Sequence, residues 1–392
     1  MRRIGIYGGT FNPPHLGHIR GASFAMSALQ LHKLLVIPTN ISPHKQMPAD
    51  TPTAQQRYTM TKLAFSGIAG VEVSDLELQR QGASYTYKTV DAVKDMYPDE
   101  EIVLFMGTDM FLSFLEWKEP EQILQNASLA VFYRGDKGEK ETIDKQKNVL
   151  EQMGAKVYVV DNPVTVISST DLRRMIAFDC TSEFLSKEVQ AYIRNENLYS
   201  IGRSRKQLPM EQLEQEVISL LKPNRVAHVL GCRDAAVELA KRWGADPVDA
   251  ARAGLLHDIT KALDGPLQLT LCREYGILLD NFSMENPKTL HALTGSLVAE
   301  RIFGENPRVV AAIRSHTTGK ANMNVLEKII YVADYMEPNR TFPGVDQLRH
   351  LADTDLDEAL RWGLENTLSM LKQQGSEVSP ASQEALAWLM KG

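Results

Sequence analysis

The stretch GGTFNPPHLGH, residues 8–18, follows directly on the β-rich run RRIGIYG and leads into the helix-like LGHIRGASFAMSALQ. Glycines at a strand-to-helix junction let backbone amides approach an anion, and the helix N-terminus adds its positive end. This reading puts Gly8, Gly9, Thr10 and Phe11 around a phosphate. His15 and His18, three residues apart at the helix start, can share one face. There they can stabilise charge on a leaving pyrophosphate. A tight turn with two surface histidines is the plainer alternative.

Outward from this stretch, β-rich runs (KLLVIPT, VEVSDLEL, EIVLFMG, ASLAVFY, KVYVVD) alternate with helical segments such as AQQRYTMTKLAF. Alternation of this kind predicts crossover units and a mostly parallel sheet, an α/β Rossmann-like domain over residues 1–200. Ligands of such sheets sit beyond the carboxyl ends of the strands. From residue 207 to 392 the periodicity is helical throughout, as in RVAHVLGCRDAAVELAKRW, PVDAARAGLLHDITKAL and VLEKIIYVADYM. A second, all-α domain is expected there. The boundary is placed in SIGRSRKQLP, a short polar and basic stretch ending in proline.

The 392 residues suit two domains, and 43% hydrophobic with 23% charged residues is an ordinary globular composition. A net charge of −6 advertises no nucleic-acid surface, although local basic pockets for phosphates remain open. Three cysteines without close motif spacing suit a reducing compartment. Glycines interrupt the apolar N-terminal run, so it reads as neither signal peptide nor membrane span, and a cytoplasmic protein is expected. An assembly of identical copies is left open.

A second phosphate signature is VISSTDLRR, residues 166–174. Ser168, Ser169 and Thr170 fall just before an expected helix, where hydroxyls ordinarily cap. Arg173 is expected in the first turn, where the helix dipole disfavours a cation unless a phosphate binds there.

Together, GGTFNPPHLGH and ISSTDLR resemble the HxGH and ISSTxxR motifs of the nucleotidylyltransferases. With SPHK, SYTYKTV, GTD and FLEWKE, residues 2–199 resemble bacterial nicotinate-nucleotide adenylyltransferases. The resemblance implies that ATP and nicotinate mononucleotide give deamido-NAD and pyrophosphate, with Mg2+. It assigns His15, His18 and Arg173 to the ATP phosphates, and Lys45 to a phosphate contact with His44 beside it. It also assigns Asp109 to a ribose, and Thr86 and Trp117 to the nicotinate ring. Trp117 is alternatively a core aromatic. The chemistry needs no protein nucleophile, because the acceptor phosphate attacks the α-phosphorus in line.

The helical half carries His228, His257-Asp258, His291, His316 and Asp334 in small or apolar settings, where such groups are costly to bury unpaired. A lone buried histidine is more often a satisfied core residue, but four with two aspartates in matching contexts point to metal. Their order resembles the HD superfamily of metal-dependent phosphohydrolases. One metal needs His228, the HD pair and Asp334, while His291 and His316 supply ligands for a second. Imidazoles with carboxylates suit iron, manganese or zinc. Asp258 would bridge two metals about 3.5–4 Å apart, with attack by hydroxide on phosphorus. Lys261, one turn on, and Arg340 would neutralise phosphate charge; solvated side chains are the alternative for both.

The segment 227–261, with HTTG and YVADYMEPNR, resembles the symmetrical diadenosine tetraphosphate hydrolases, which yield two ADP. That resemblance implies a di-iron centre. Two other readings stay open: a non-hydrolytic nucleotide sensor regulating NAD synthesis, and a phosphohydrolase for another nucleotide. Of the remaining histidines, His32 is read as ending the first long helix and His350 as lying on an exposed helical face.

Overall fold

The computed structural model describes residues 2–43, 47, 50–133, 138–161, 167–201 and 203–391. The chain divides into two compact units, Met1–Arg203 and Ser204–Gly392.

The first unit is built on β1 (Arg3–Gly9), β2 (Lys33–Pro38), β3 (Val71–Val73), β4 (Glu101–Gly107), β5 (Ser128–Tyr133) and β6 (Val157–Asp161). All pairings are parallel, in the order β3-β2-β1-β4-β5-β6. Runs such as KLLVIP and EIVLFM lack alternation because both faces are covered; Leu34, Val36, Ile37 and Val103 are fully buried. The chain builds outward from β1 through β2 to β3, then returns to β4 and builds the other way. A crevice therefore opens at the carboxyl ends of β1 and β4, the point where the strand order reverses. Gly8 and Gly9 lie at one lip of it, and Thr108 and Asp109 follow the other.

Two local expectations are corrected. VEVSDLEL is a strand only over Val71–Val73, since the chain turns at Asp75, whose carbonyl accepts from Leu78 N at 2.8 Å. The first helix spans Leu16–Ala28 and stops short of His32, because Gln30 adopts a positive φ of 51°. His32 Nδ1 instead meets the Arg3 carbonyl at 2.9 Å.

The second unit is helical. Helices Pro247–Leu256 and Pro307–Ser315 begin with proline behind the side-chain caps Asp246 and Asn306. Helix Pro223–Trp243 packs against Pro247–Leu256 at Gly254, where a Cβ would stand 2.7 Å from Arg233 Cα. That close approach brings the C-terminal end of one helix against the other. The HD pair is not inside a helix: the helix ends at Leu256, and the backbone tightens into turns, Ile259 N to Leu256 O at 3.1 Å and Lys261 N to Asp258 O at 2.9 Å. Leu255, Leu256, Ile259, Ala262 and Leu263 are all buried, so the apolar run continues where the helix does not. Among the described residues, no helix is long and apolar enough to cross a membrane.

Candidate functional sites

In the first unit, His15 is the N-cap of helix Leu16–Ala28, and it forms a reciprocal capping box with His18. His18 N donates to His15 Nδ1 at 3.3 Å, and His15 N donates to His18 Nδ1 at 3.1 Å. Each Nδ1 accepts, so a neutral ring carries its proton on Nε2. Burial lowers the His15 pKa to about 4, and burial with the His15 charge holds His18 well below the usual range. With ring centroids 3.6 Å apart, the pair presents two neutral Nε2–H donors at neutral pH.

Permanent charge comes from Arg173. Its Nη1 donates to Asn12 O at 3.1 Å and its Nη2 to Thr170 Oγ1 at 3.2 Å, which joins the two phosphate signatures. Ser168 caps helix Ser169–Ala177 by accepting from Asp171 N at 3.0 Å, so Ser169 and Thr170 lie inside the helix. Arg173 accordingly opens the second turn rather than the first, where the dipole disfavours it less. Phe11 is a packing residue: its side chain is 1% exposed, with Tyr7, His18 and Phe65 around it. Gly8 borders open space, while a Cβ on Gly9 would press the Phe11 ring at 3.2 Å.

On the acceptor side, Asp109 is exposed in the first turn of helix Thr108–Leu112. Thr86 opens helix Thr86–Met96, and Trp117 packs on Phe114 at 5.4 Å. Lys118 Nζ lies 4.6 Å over the Tyr85 ring, tying the Trp117 segment to the start of the Thr86 helix. His44 and Lys45 lie outside the described residues. Sequence reading missed buried Arg57, which donates to Thr10 O at 2.7 Å and Asn40 O at 3.0 Å, and Tyr199, which donates to Asn12 Oδ1 at 2.7 Å. Both hold the glycine loop from elements remote in sequence.

In the second unit, four imidazoles and two carboxylates converge. His228 Nε2 lies 3.2 Å from His257 Nε2 and 3.1 Å from Asp334 Oδ1. His257 Nε2 is 3.5 Å from Asp258 Oδ2, while Asp258 Oδ1 is 3.5 Å from His291 Nε2 and 3.8 Å from His316 Nε2. Each oxygen of Asp258 thus faces a different pair of histidines. The opposite nitrogens are all engaged. Nδ1 of His257, His291 and His316 donates to the carbonyl three residues earlier (Gly254, Lys288, Ile313; 2.8, 2.9 and 2.6 Å), and Nδ1 of His228 donates to Glu337 Oε1 at 3.1 Å. Every Nε2 lone pair is thereby aimed inward, as ligation requires.

Burial holds the pKa of His257 and His291 well below the usual range and lowers that of His316. Against the opposing effect of burial, the Asp334 carboxyl is held well below the usual carboxylate range, with the Arg340 guanidinium among the groups that favour its ionised form. Imidazoles with carboxylates are a donor set that fits divalent metal, with groups His228-His257-Asp334 and His257-Asp258-His316 each compact enough for one ion.

Cations border this cluster. Lys261 Nζ lies 3.0 Å from His291 Nε2, and burial lowers its pKa to about 8. Arg340 Nη2 donates to Asp334 Oδ1 at 2.7 Å, so this guanidinium is engaged rather than freely solvated. Arg225, which sequence reading missed, pairs with Asp258. Also missed was Thr317, whose hydroxyl stands 3.0 Å from His291 Nε2 and 3.1 Å from His316 Nε2.

The two sites define the classes: a nucleotidyltransferase-type α/β unit and an HD-type hydrolase unit. Residues 6–175 match the family described as cytidylyltransferase-like, and residues 225–339 match the HD domain. A Bacillus subtilis protein named symmetrical bis(5'-nucleosyl)-tetraphosphatase is 40% identical over 176 residues, covering 44% of this chain and 92% of that one. A Dictyoglomus thermophilum protein named "Probable nicotinate-nucleotide adenylyltransferase" is 34% identical over 198 residues, covering 50% of this chain and 99% of that one. A solved Clostridium acetobutylicum structure, described as a predicted HD superfamily hydrolase involved in NAD metabolism, matches with 37% identity and a TM-score of 0.46, over 47% of this chain and 98% of that chain. The chain belongs to the nicotinate-nucleotide adenylyltransferase family in its first half and to the HD-type symmetrical bis(5'-nucleosyl)-tetraphosphatase family in its second.

Proposed function

We propose that this chain is a bifunctional enzyme. Its first unit transfers adenylyl from ATP to nicotinate mononucleotide, giving deamido-NAD and pyrophosphate with Mg2+. Its second unit hydrolyses diadenosine tetraphosphate symmetrically to two ADP, using two transition metals, iron first and manganese or zinc as alternatives. Both families act on small soluble nucleotides, and the buried free thiols suit a reducing cytoplasm.

In the transfer, an oxygen of the mononucleotide phosphate bonds to the α-phosphorus of ATP as the bond from that phosphorus to the β-bridging oxygen breaks. The Nε2–H groups of His15 and His18 and the guanidinium of Arg173 donate to the departing pyrophosphate oxygens. Gly8, beside open space, and Gly9 end strand β1 at the phosphate side, and Thr10 and Ser168–Thr170 add polar groups there. Asp109 takes the ribose, while Thr86 and Trp117 receive the nicotinate, with His44 and Lys45 assigned from sequence alone. The observation that carries this reading is the mutual capping of His15 and His18, which fixes both donors before substrate arrives.

In the hydrolysis, His228, His257, Asp258 and Asp334 hold one metal, and His291 and His316 with Asp258 hold the other. When bound, the metals supply the charge that makes water a nucleophile near neutral pH. Lys261 and Arg340, with Arg225 beside them, hold the polyphosphate and offset the charge gathering on the departing ADP. Water oxygen bonds to one central phosphorus, the bridge to the other breaks, and the departing phosphate oxygen takes up a proton. The carrying observation is the inward aim of four Nε2 lone pairs on two carboxylates.

The test incubates the whole chain with each substrate set and identifies products. Deamido-NAD with pyrophosphate, and two ADP per dinucleotide, support the two assignments. An intact metal-loaded second unit that binds dinucleotide without cleaving it would make that unit a sensor. Cleavage of only other phosphoanhydrides would reassign its substrate.

A further inference from the structure

Three of the four inward-facing histidines are oriented by backbone and one is not. His257 and His316 follow directly on helix ends, and Lys288 precedes the helix holding His291, so a carbonyl three residues back is available to each Nδ1. His228 lies within helix Pro223–Trp243, where nearby carbonyls serve the helix ladder. Its Nδ1 is met by the carboxylate of Glu337, which is 1% exposed at the end of helix Val325–Met336.

That carboxylate is fixed from the other side. Glu337 Oε2 accepts from Asn339 N at 2.7 Å and from Asn339 Nδ2 at 2.9 Å, and the same amide nitrogen donates to Ala227 O at 3.0 Å. The space for it is made by Gly231, one turn beyond His228, where a Cβ would overlap Glu337 Oε2. The two oxygens therefore have separate donors, and the charge is buried without being left unpaired.

We propose that Glu337 is the positioning residue of the second unit's metal site, seated by Gly231 and Asn339. This rests on the metal-site reading above. Its carboxylate fixes the His228 tautomer and makes that ring a stronger donor than its three carbonyl-bonded partners. The two metal positions are thereby unequal: the one built on His228, His257 and Asp334 depends on Glu337, and the one that uses His291 and His316 does not.

Glu337→Gln tests this without leaving a cavity. An amide offers one acceptor where His228 Nδ1–H and Asn339 N–H each need one, so one donor must go unmet. Gly231→Ala is the second variant. An alanine in mid-helix ordinarily stabilises, yet here it displaces the carboxylate. Whole-chain protein, its fold checked by circular dichroism, is titrated with Mn(II) and read by electron paramagnetic resonance of free ion.

We expect about two bound ions in the parent chain. Both variants should weaken one ion by about 10–100-fold and leave the other unchanged. Unchanged binding of both ions in the folded variants overturns the proposal, as does equal weakening of both. A parent chain that binds no ion overturns the metal-site reading itself, which is a separate outcome.

Discussion

The Nε2 atoms of His228 and His257 face one another at 3.2 Å, while Nδ1 of each ring donates to an oxygen, Glu337 Oε1 and Gly254 O. Two lone pairs directed at each other, with Asp334 Oδ1 3.1 Å from the first, form a ligand arrangement that one cation would satisfy. Metal should therefore stabilise the second unit strongly. At a free concentration of 100 times Kd the gain is about 2.7 kcal/mol. At about 2–4 °C per kcal/mol for a domain of this size, its melting transition should rise by roughly 5–10 °C. Differential scanning calorimetry with and without chelator measures this, and a transition indifferent to metal counts against the site.

Gly254→Ala should damage the same cluster from outside it. The added Cβ meets backbone at Arg233, which cannot swing aside, so the helix holding His228 and the helix that ends just before His257 must separate. A loss of about 1–3 kcal/mol is expected, with weaker metal binding. Chemical denaturation and metal content read the two effects together.

Substitutions in one unit should leave the other reaction alone. His18→Ala removes an Nε2–H donor and a capping partner, and adenylyl transfer should fall by roughly 10²–10³-fold by analogy with loss of one transition-state donor. Dinucleotide hydrolysis should not change. Asp258→Ala should do the reverse, abolishing hydrolysis and sparing transfer. Steady-state rates of both reactions in both variants are the check.

The His15 pKa of about 4 lies below the ordinary histidine value. The unfolded chain therefore takes up this proton first as pH falls. The stability contribution is full above about pH 6.5 and is lost as pH drops toward 4, up to about 3 kcal/mol. Protonated Nδ1 cannot accept from His18 N, so in the folded chain the capping box opens only as pH approaches about 4. His15→Asn keeps an N-capping oxygen but does not titrate, and its melting temperature should vary less between pH 7 and pH 4 than that of the parent chain.

How much of this was legible in sequence follows from how local each pattern is. The glycine loop, the His15–His18 spacing and the HD pair are set within a few residues, and they could be read directly. Glu337 stands 109 residues from His228, and Arg57 stands 47 from Thr10, so neither could be tied to its partner before the fold joined them. The placement of His257 inside a helix failed for a different reason. The turn after Leu256 is as buried as the helix before it, so apolar periodicity carries no mark of the helix end. Phe11 lies in the glycine loop, and that its side chain packs beneath the loop is set by Tyr7 and Phe65, which the local motif does not show. A hint was available for Glu337: a second acid three residues after Asp334 in YVADYMEPN, at the close of an apolar helix.

The most direct measurement is product analysis of the whole chain, purified without oxygen, with its metals counted and diadenosine tetraphosphate as substrate. Two ADP per dinucleotide and about two metals per chain are expected, with cleavage lost in Asp258→Ala. Products of ATP and AMP, or no cleavage by fully metal-loaded protein, would contradict the symmetrical hydrolase assignment.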